Sequence, residues 1–216
     1  MLPGPYYIYK CPNCDNLLRK SSLMSGNTLG LQIFSDGKNI RPMLPEFPDL
    51  TKCKKCNTIF QLSKLKHIGT YEWWDDKTKS RWKNADQVDF LDIEDYFRVL
   101  NEGFAKDIKE VFIRKQIWWA YNDRIRYCSK TEDNVTPFVD ANDEIRWREN
   151  CNKLIPLLSL YDLDERIMIA ELKRNLGDFE DCIYIIEQIW DYELNWLKDI
   201  FINECKKGNR WVVQLK

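Results

Sequence analysis

The chain has one histidine, His67, in 216 residues. A single imidazole excludes three-histidine metal centres, H-E-x-x-H proteases and any mechanism that needs paired imidazoles. Glycine and proline are scarce, eight of each, which argues against a collagen-like or largely disordered chain. No G-x-x-x-x-G-K or G-x-G-x-x-G phosphate loop occurs. Long apolar runs are missing as well. The longest strongly apolar stretch without a charge is Leu154–Tyr161, far short of the ~20 residues that span a bilayer. The first ten residues lack a basic start, a long apolar centre and a small-residue cleavage site. The expectation is a cytoplasmic protein with no membrane segment.

What is present is material for a core and eight cysteines. The chain is 44% hydrophobic, and its nine tryptophans supply wide surfaces for packing. In a reducing compartment the cysteines are expected as thiols or metal ligands rather than disulfides. The net charge of −1 hides a division. Residues 1–70 carry ten Lys+Arg and four Asp+Glu, a balance of +6, and residues 71–216 have a balance of −7. All closely spaced cysteines fall in the basic part. This places a small module at 1–70, an aromatic junction at 71–89 and a helical domain at 90–216.

The basic part holds two C-x-x-C units, Cys11-Pro12-Asn13-Cys14 and Cys53-Lys54-Lys55-Cys56. A two-residue spacer lets the chain turn tightly, so that both sulfurs face one point. Two such turns brought together make four thiolates in a tetrahedron, the geometry that Zn²⁺ takes in structural sites. A lone C-x-x-C also fits a redox pair, but two in one short basic segment point to zinc. Iron in a four-cysteine site has the same spacing. Strands are expected on the flanks, at Tyr6–Tyr9 and Thr58–Leu62. Between the units, apolar runs at Leu29–Phe34 and Asn39–Met43 bracket Ser35-Asp36-Gly37-Lys38, a hairpin signal. A module this small needs a metal staple. Four thiolates close the coordination shell, so one structural Zn²⁺ is expected, with Cys11, Cys14, Cys53 and Cys56 as its ligands.

Lys52, Lys54 and Lys55 crowd the second unit. They suit nucleic-acid phosphates or an acidic protein face, and equally they offset the negative metal–thiolate cluster. In the junction, Tyr71, Trp73 and Trp74 precede an acidic turn at Asp75-Asp76, and Lys77, Lys79, Arg81, Trp82 and Lys83 follow it. Such a pattern can stack bases, or it can glue the small module to a helical body. The second reading is preferred.

Helical spacing begins near Ile93 and continues through Phe97, Leu100 and Phe104. A second pattern runs from Ile108 through Tyr127. A loop at Thr131–Asn134 and Pro137 follow, and a third helix is expected from Asp140 to Leu154, where Pro156 ends it. A fourth carries Ile169, Leu172 and Leu176 and stops at Gly177. A fifth opens on Asp178 as N-cap and carries Phe179, Ile183, Ile186 and Ile189. A sixth carries Leu194, Leu197, Phe201 and Cys205 and stops at Gly208. The fold class is therefore α+β, mostly α, with the β module first and an all-α body after it.

The stretch Ala170–Cys182, with its Gly177-Asp178-Phe179 turn, resembles a tetratricopeptide repeat, with Cys182 where that family usually has alanine. Gly208-Asn209-Arg210-Trp211 repeats the turn 31 residues later. This resemblance covers about residues 160–212 and implies helical hairpins with a protein-binding face. The whole chain also resembles an uncharacterised group of bacterial proteins that join a four-cysteine ribbon to a helical body. The shared features are Ser35–Lys38, the Pro42–Pro45 loop and Trp118-Trp119-Ala120-Tyr121-Asn122-Asp123. That resemblance implies the architecture and the metal ligands, and no activity.

Catalytic groupings are weak. Ser35-x-x-Lys38 fits S-x-x-K by letters, but a hairpin turn is the wrong setting for an acylating serine. Asp75, Asp76, Asp162, Asp164 and Glu165 read as caps and solvated faces. His67 is weighed as a metal ligand and set aside, because four cysteines complete the site. Cys128, Cys151, Cys182 and Cys205 read as core residues rather than a second metal site. The expected function is a zinc-binding interaction or scaffold protein with a protein partner and no catalytic residues. The alternative is a nucleic-acid binder that uses the basic module, and a third class, an enzyme whose site is assembled from scattered residues, stays open.

Overall fold

Tyr6-Tyr7-Ile8-Tyr9 is rich in residues that suit a pleated, half-buried surface, and the strand formed there organises the N-terminal part of the chain. We describe a computed structural model that covers residues 1–72, 74–102, 108–127 and 136–215, without the side chains of 77–79. Trp73, Phe104, Cys128 and the Thr131–Asn134 loop lie outside the described residues, as do the side chains of Lys77 and Lys79. The chain forms two compact units. The first comprises Met1–Leu31 and Ile40–Ala105, and the second Gln32–Asn39 and Lys106–Lys216.

The first unit is built from short strands: β1 (Leu2–Pro3), β2 (Tyr6–Lys10), β3 (Leu17–Lys20) and β4 (Leu23–Ser25), then β7 (Leu50–Lys52), β8 (Ile59–Gln61), β9 (Gly69–Tyr71) and β10 (Asp86–Gln87). Between β4 and β7, β5 (Gln32–Ile33) and β6 (Asn39–Ile40) pair with each other around the Ser35–Lys38 turn. A four-stranded sheet runs in the order β10-β3-β2-β9. In it β2 and β3 are antiparallel, with Tyr7 opposite Lys20 and Lys10 opposite Leu17. β7 and β8 form a second antiparallel hairpin, with Lys52 opposite Ile59. Two short helices, α1 (Asp76–Arg81) and α2 (Ile93–Glu102), complete the unit.

Its interior is two small clusters. One groups Cys11, Leu18, Cys53, Leu62 and Val88; the other groups Ile8, Tyr71, Trp82 and Ala85. The junction aromatics Tyr71 and Trp82 are thus core residues of this unit. Gly69 lets the Trp82 ring approach the backbone, since a β-carbon there would lie 2.8 Å from Trp82 Cζ2.

The second unit contains α3 (Glu110–Asp123), α4 (Ala141–Leu154), α5 (Leu163–Leu176), α6 (Phe179–Glu187) and α7 (Asn195–Lys206). In it α3 packs on α4, and α6 packs on both α5 and α7. The ends obey capping rules. Asp140 accepts from the Asp143 amide at 2.8 Å and Asp162 from the Glu165 amide at 2.9 Å. Gly177 ends α5 with φ of 92°, a left-handed conformation that glycine adopts freely. Asp178 differs from expectation. It stands at the N-cap position of α6 but makes no capping bond, and its carboxylate faces Lys173 Nζ at 3.4 Å instead. The helix expected to reach Tyr127 ends at Asp123.

Residues 32–39 belong to this second unit. Phe34, Ser35 and Asp36 are almost wholly enclosed. Arg126 holds the Asp36 carboxylate with two guanidinium bonds, at 3.1 and 2.7 Å, and Asn122 adds a third at 2.9 Å. The Ser35 hydroxyl donates to Glu171 at 2.7 Å. Arg174 clamps that same Glu171 at 2.6 and 2.9 Å and donates to the carbonyls of Asn209 and Trp211. Ser35 and Val213 exchange further bonds, so the C-terminal segment runs beside the turn. Every charge in this group faces an opposite charge or a hydrogen-bonding partner, as buried charge requires.

Candidate metal centre

The two C-x-x-C units fold into matching turns. In the first, the Cys11 amide donates to Asn16 O at 2.8 Å and the Asp15 amide to Cys11 O at 3.1 Å. In the second, the Cys53 amide donates to Thr58 O and the Asn57 amide to Cys53 O, both at 2.9 Å. The residue after each second cysteine is left-handed, Asp15 with φ of 56° and Asn57 with φ of 58°. Asp and Asn tolerate that conformation better than other non-glycine residues. Each first cysteine leaves a strand and is buried, and each second cysteine sits in the turn and is partly exposed.

The two turns meet. Cys11 Sγ lies 3.5 Å from Cys56 Sγ, and Cys14 Sγ lies 3.7 Å from Cys53 Sγ. All four sulfurs lie within 4.8 Å of one another. A tetrahedral ion with metal–sulfur bonds of about 2.3 Å separates its sulfurs by about 3.8 Å, so the cluster fits a single ion. The donor set is soft and suits zinc or iron rather than magnesium or calcium.

The thiols are electrostatically unequal. Contact with Thr58, through its hydroxyl and then its amide, brings Cys56 down to about 5. The Asn16 amide pulls Cys14 down, but burial and the adjacent sulfurs outweigh it and push the thiol up to about 12. Burial, ahead of all else, raises Cys11. Four sulfurs this close cannot all ionise against one another. A divalent cation between them removes that conflict by stabilising every thiolate at once.

Other residues singled out from sequence fall elsewhere. His67 is outside the cluster. Its ring meets Tyr7 and Tyr9 edge-on, at 5.3 and 6.4 Å between centroids. The three residues border a cleft of about 450 Å³ with Lys20. Lys52 pairs with the buried Asp95 of α2, and Lys54 with Asp89 at 2.6 Å. Trp82 is buried, with Arg81 over its ring at 4.6 Å, so it has no free face for a base. Cys182 and Cys205 share one apolar cluster and Cys151 is buried apart from it. Among the described residues, the four N-terminal cysteines are the one group of metal-ligating side chains that converges.

Sequence reading missed the buried Asp36–Arg126 and Ser35–Glu171–Arg174 groups. Ser35 is no nucleophile, since its hydroxyl is spent on Glu171 and on the Val213 amide. No helix among the described residues is long and apolar enough to cross a membrane. No protein-family model matches the chain, and no curated protein or solved structure is similar to it.

Proposed function

We propose that the chain is a protein-interaction or scaffold module whose first unit is held by one structural Zn²⁺ on Cys11, Cys14, Cys53 and Cys56. The observation that carries this is the meeting of four sulfurs within 4.8 Å. Four protein ligands leave a zinc ion no open position for water or substrate, so the metal stabilises rather than reacts. The paired strands that present the two turns support a ribbon-like reading of the first unit. The α5–Gly177–α6 hairpin supports a tetratricopeptide-like reading of that part of the second unit. Gly208 is also left-handed, with φ of 68°, but among the described residues no helix follows it, so the repeat-like element is limited to one hairpin.

A protein partner suits the charge pattern better than nucleic acid does. Lys52 and Lys54 are occupied by carboxylates, Trp82 is enclosed, and the helical part of the chain is acidic. Cytoplasmic residence follows from the need to keep the four ligands reduced. Elemental analysis after purification without added metal tests the first half, with about one zinc per chain expected. Full metal occupancy in Cys53→Ser sinks the assignment. The second half is tested by crosslinking the protein in its native host and identifying what is joined. Tight RNA or DNA binding that persists at physiological salt favours the alternative.

A further inference from the structure

The loop before α5 and the segment after α6 meet at one end of the α5–α6 hairpin. Arg166 ties them together. Its Nε donates to Leu160 O at 2.5 Å, and its Nη1 donates to Gln188 O at 3.2 Å. Large apolar and aromatic side chains stand in water there: Leu160, Tyr161, Leu163, Trp190 and Tyr192. Trp190 and Tyr192 are each 85% exposed, and Tyr161 is 98% exposed. The same unit buries Trp118 and Trp147 completely. A cluster of exposed large apolar groups at one place marks an interaction surface more often than an accident of packing.

The charge around these rings has one sign. Residues 160–166 and 187–193 carry six carboxylates and one cation, Arg166, whose guanidinium is already engaged by the two carbonyls. Asp191 is fixed beside Trp190 and Tyr192 by accepting the Glu193 amide at 2.9 Å. Aromatic faces and carboxylates attract the same group, a cation carried on an apolar stem. Nucleic acid has the opposite charge and is repelled.

We propose that this end of the hairpin binds a Lys/Arg-rich peptide segment of a partner protein. Guanidinium or ammonium groups lie over the rings of Trp190 and Tyr192 and pair with Asp191 and Glu193, and the alkyl stems rest on Leu160 and Leu163. This deepens, and rests on, the protein-interaction reading above.

The test uses the full chain with its metal bound. Fluorescence anisotropy is measured with a labelled peptide that alternates Lys or Arg with Leu, and with its counterpart in which Glu replaces each basic residue. The variants are Trp190→Ala with Tyr192→Ala, and Asp191→Asn with Glu193→Gln. Asn keeps an oxygen for the Glu193 amide, and the aromatic pair is too exposed for the fold to depend on it; melting curves check both. The basic peptide binds the native chain and the acidic one does not. The aromatic variant weakens binding by about tenfold or more. The amide variant weakens it by roughly threefold at low salt, and less as salt rises. Equal affinity in the aromatic variant, or equal binding of the acidic peptide, overturns the assignment. So does self-association that the aromatic variant abolishes, since a second copy then covers the patch. Crosslinked partners that remain on both variants overturn this site and leave the broader reading standing, whereas no crosslinked partner on any form of the chain overturns both.

Discussion

Among the described residues, the first unit has more strands than the second has α-helices, yet no strand in it exceeds five residues. Its apolar clusters hold four or five buried residues each, and two members of one of them are cysteines of the metal centre. The second unit has helices of up to 14 residues, a buried apolar group around Ala170 and Phe201, and paired charges enclosed at Asp36–Arg126 and Glu171–Arg174. One region sets four converging sulfurs, which could hold a metal ion, beside a small core. The other has enough core to enclose charges of its own. Size of apolar surface decides which solution is open, because burying charge is costly and a small core offers little to set against that cost.

Chelation gives the sharpest contrast. Structural zinc in comparable peptides contributes about 10–16 kcal/mol of apparent binding free energy. Removing it, or changing Cys53 to Ser, is expected to unfold the first unit while the helical circular dichroism signal remains. Loss of that signal along with the strands would show that the units are one cooperative structure.

The next largest effect is expected inside the second unit. Arg126→Ala leaves the Asp36 carboxylate buried without its cation, which costs about 3–5 kcal/mol. Denaturant titration should show this for Arg126→Ala and Arg174→Ala. Lys54→Ala breaks an exposed pair in the first unit and should cost at most about 1 kcal/mol. Equal losses for Arg126→Ala and Lys54→Ala would erase the contrast between enclosed and open pairs.

Acid separates the units in a third way. Burial raises the Asp143 carboxyl, but Tyr121, the Val139 amide and Arg124 outweigh it and hold it below the ordinary 3.8. A carboxyl depressed in the folded state stabilises above its unfolded value, and the contribution disappears as pH falls through the lower folded value. The melting temperature of the second unit should therefore fall as pH drops from about 4, and Asp143→Asn should flatten the dependence and cost about 1–3 kcal/mol at neutral pH. A profile unchanged in Asp143→Asn removes this carboxylate from the account.

Another modest effect tests the turns of the metal centre. Asn57→Val places a β-branched side chain at positive φ and should cost about 1–2 kcal/mol, while Asn57→Gly should be nearly neutral. Competition with a zinc chelator reads both. Similar metal affinity in the two variants would mean that the left-handed residue is not what aims Cys56.

The convergence of the four cysteines was legible because C-x-x-C spacing is a local rule, and the helices because period and caps are local too. Ile93, Gly177 and Leu154 stand within a residue or two of real helix ends. Asp15 and Asn57 were also within reach, since each follows the second cysteine of its pair and belongs to the residue types that accept positive φ. The burial of Ser35 and Asp36 was not. A turn signal reports φ and ψ, and says nothing about whether the tip faces water. Asp36 meets Arg126, 90 residues away, and no periodicity links them. Lys52 and Asp95 failed for the same reason, because their pairing depends on tertiary approach. Asp178 had the right residue type for a cap, but a nearby lysine took its carboxylate.

The excursion at residues 32–39 makes the two units interleaved in sequence. The chain leaves the first unit after Leu31, contributes the Ser35–Asp36 tip to the second, and returns at Ile40 before the second pair of cysteines is reached. No single cut separates such a molecule. A fragment that begins at residue 106 would retain Arg126, Glu171 and Arg174 but lose the Asp36 carboxylate and the Ser35 hydroxyl that face them. A fragment that ends at residue 105 would expose the Phe34 loop to water. During synthesis the first pair of cysteines and the loop emerge long before Arg174, so the loop must wait for its partners while the metal centre can already close. Isolating the first unit therefore requires joining Leu31 to Ile40, and isolating the second requires supplying residues 32–39 to it.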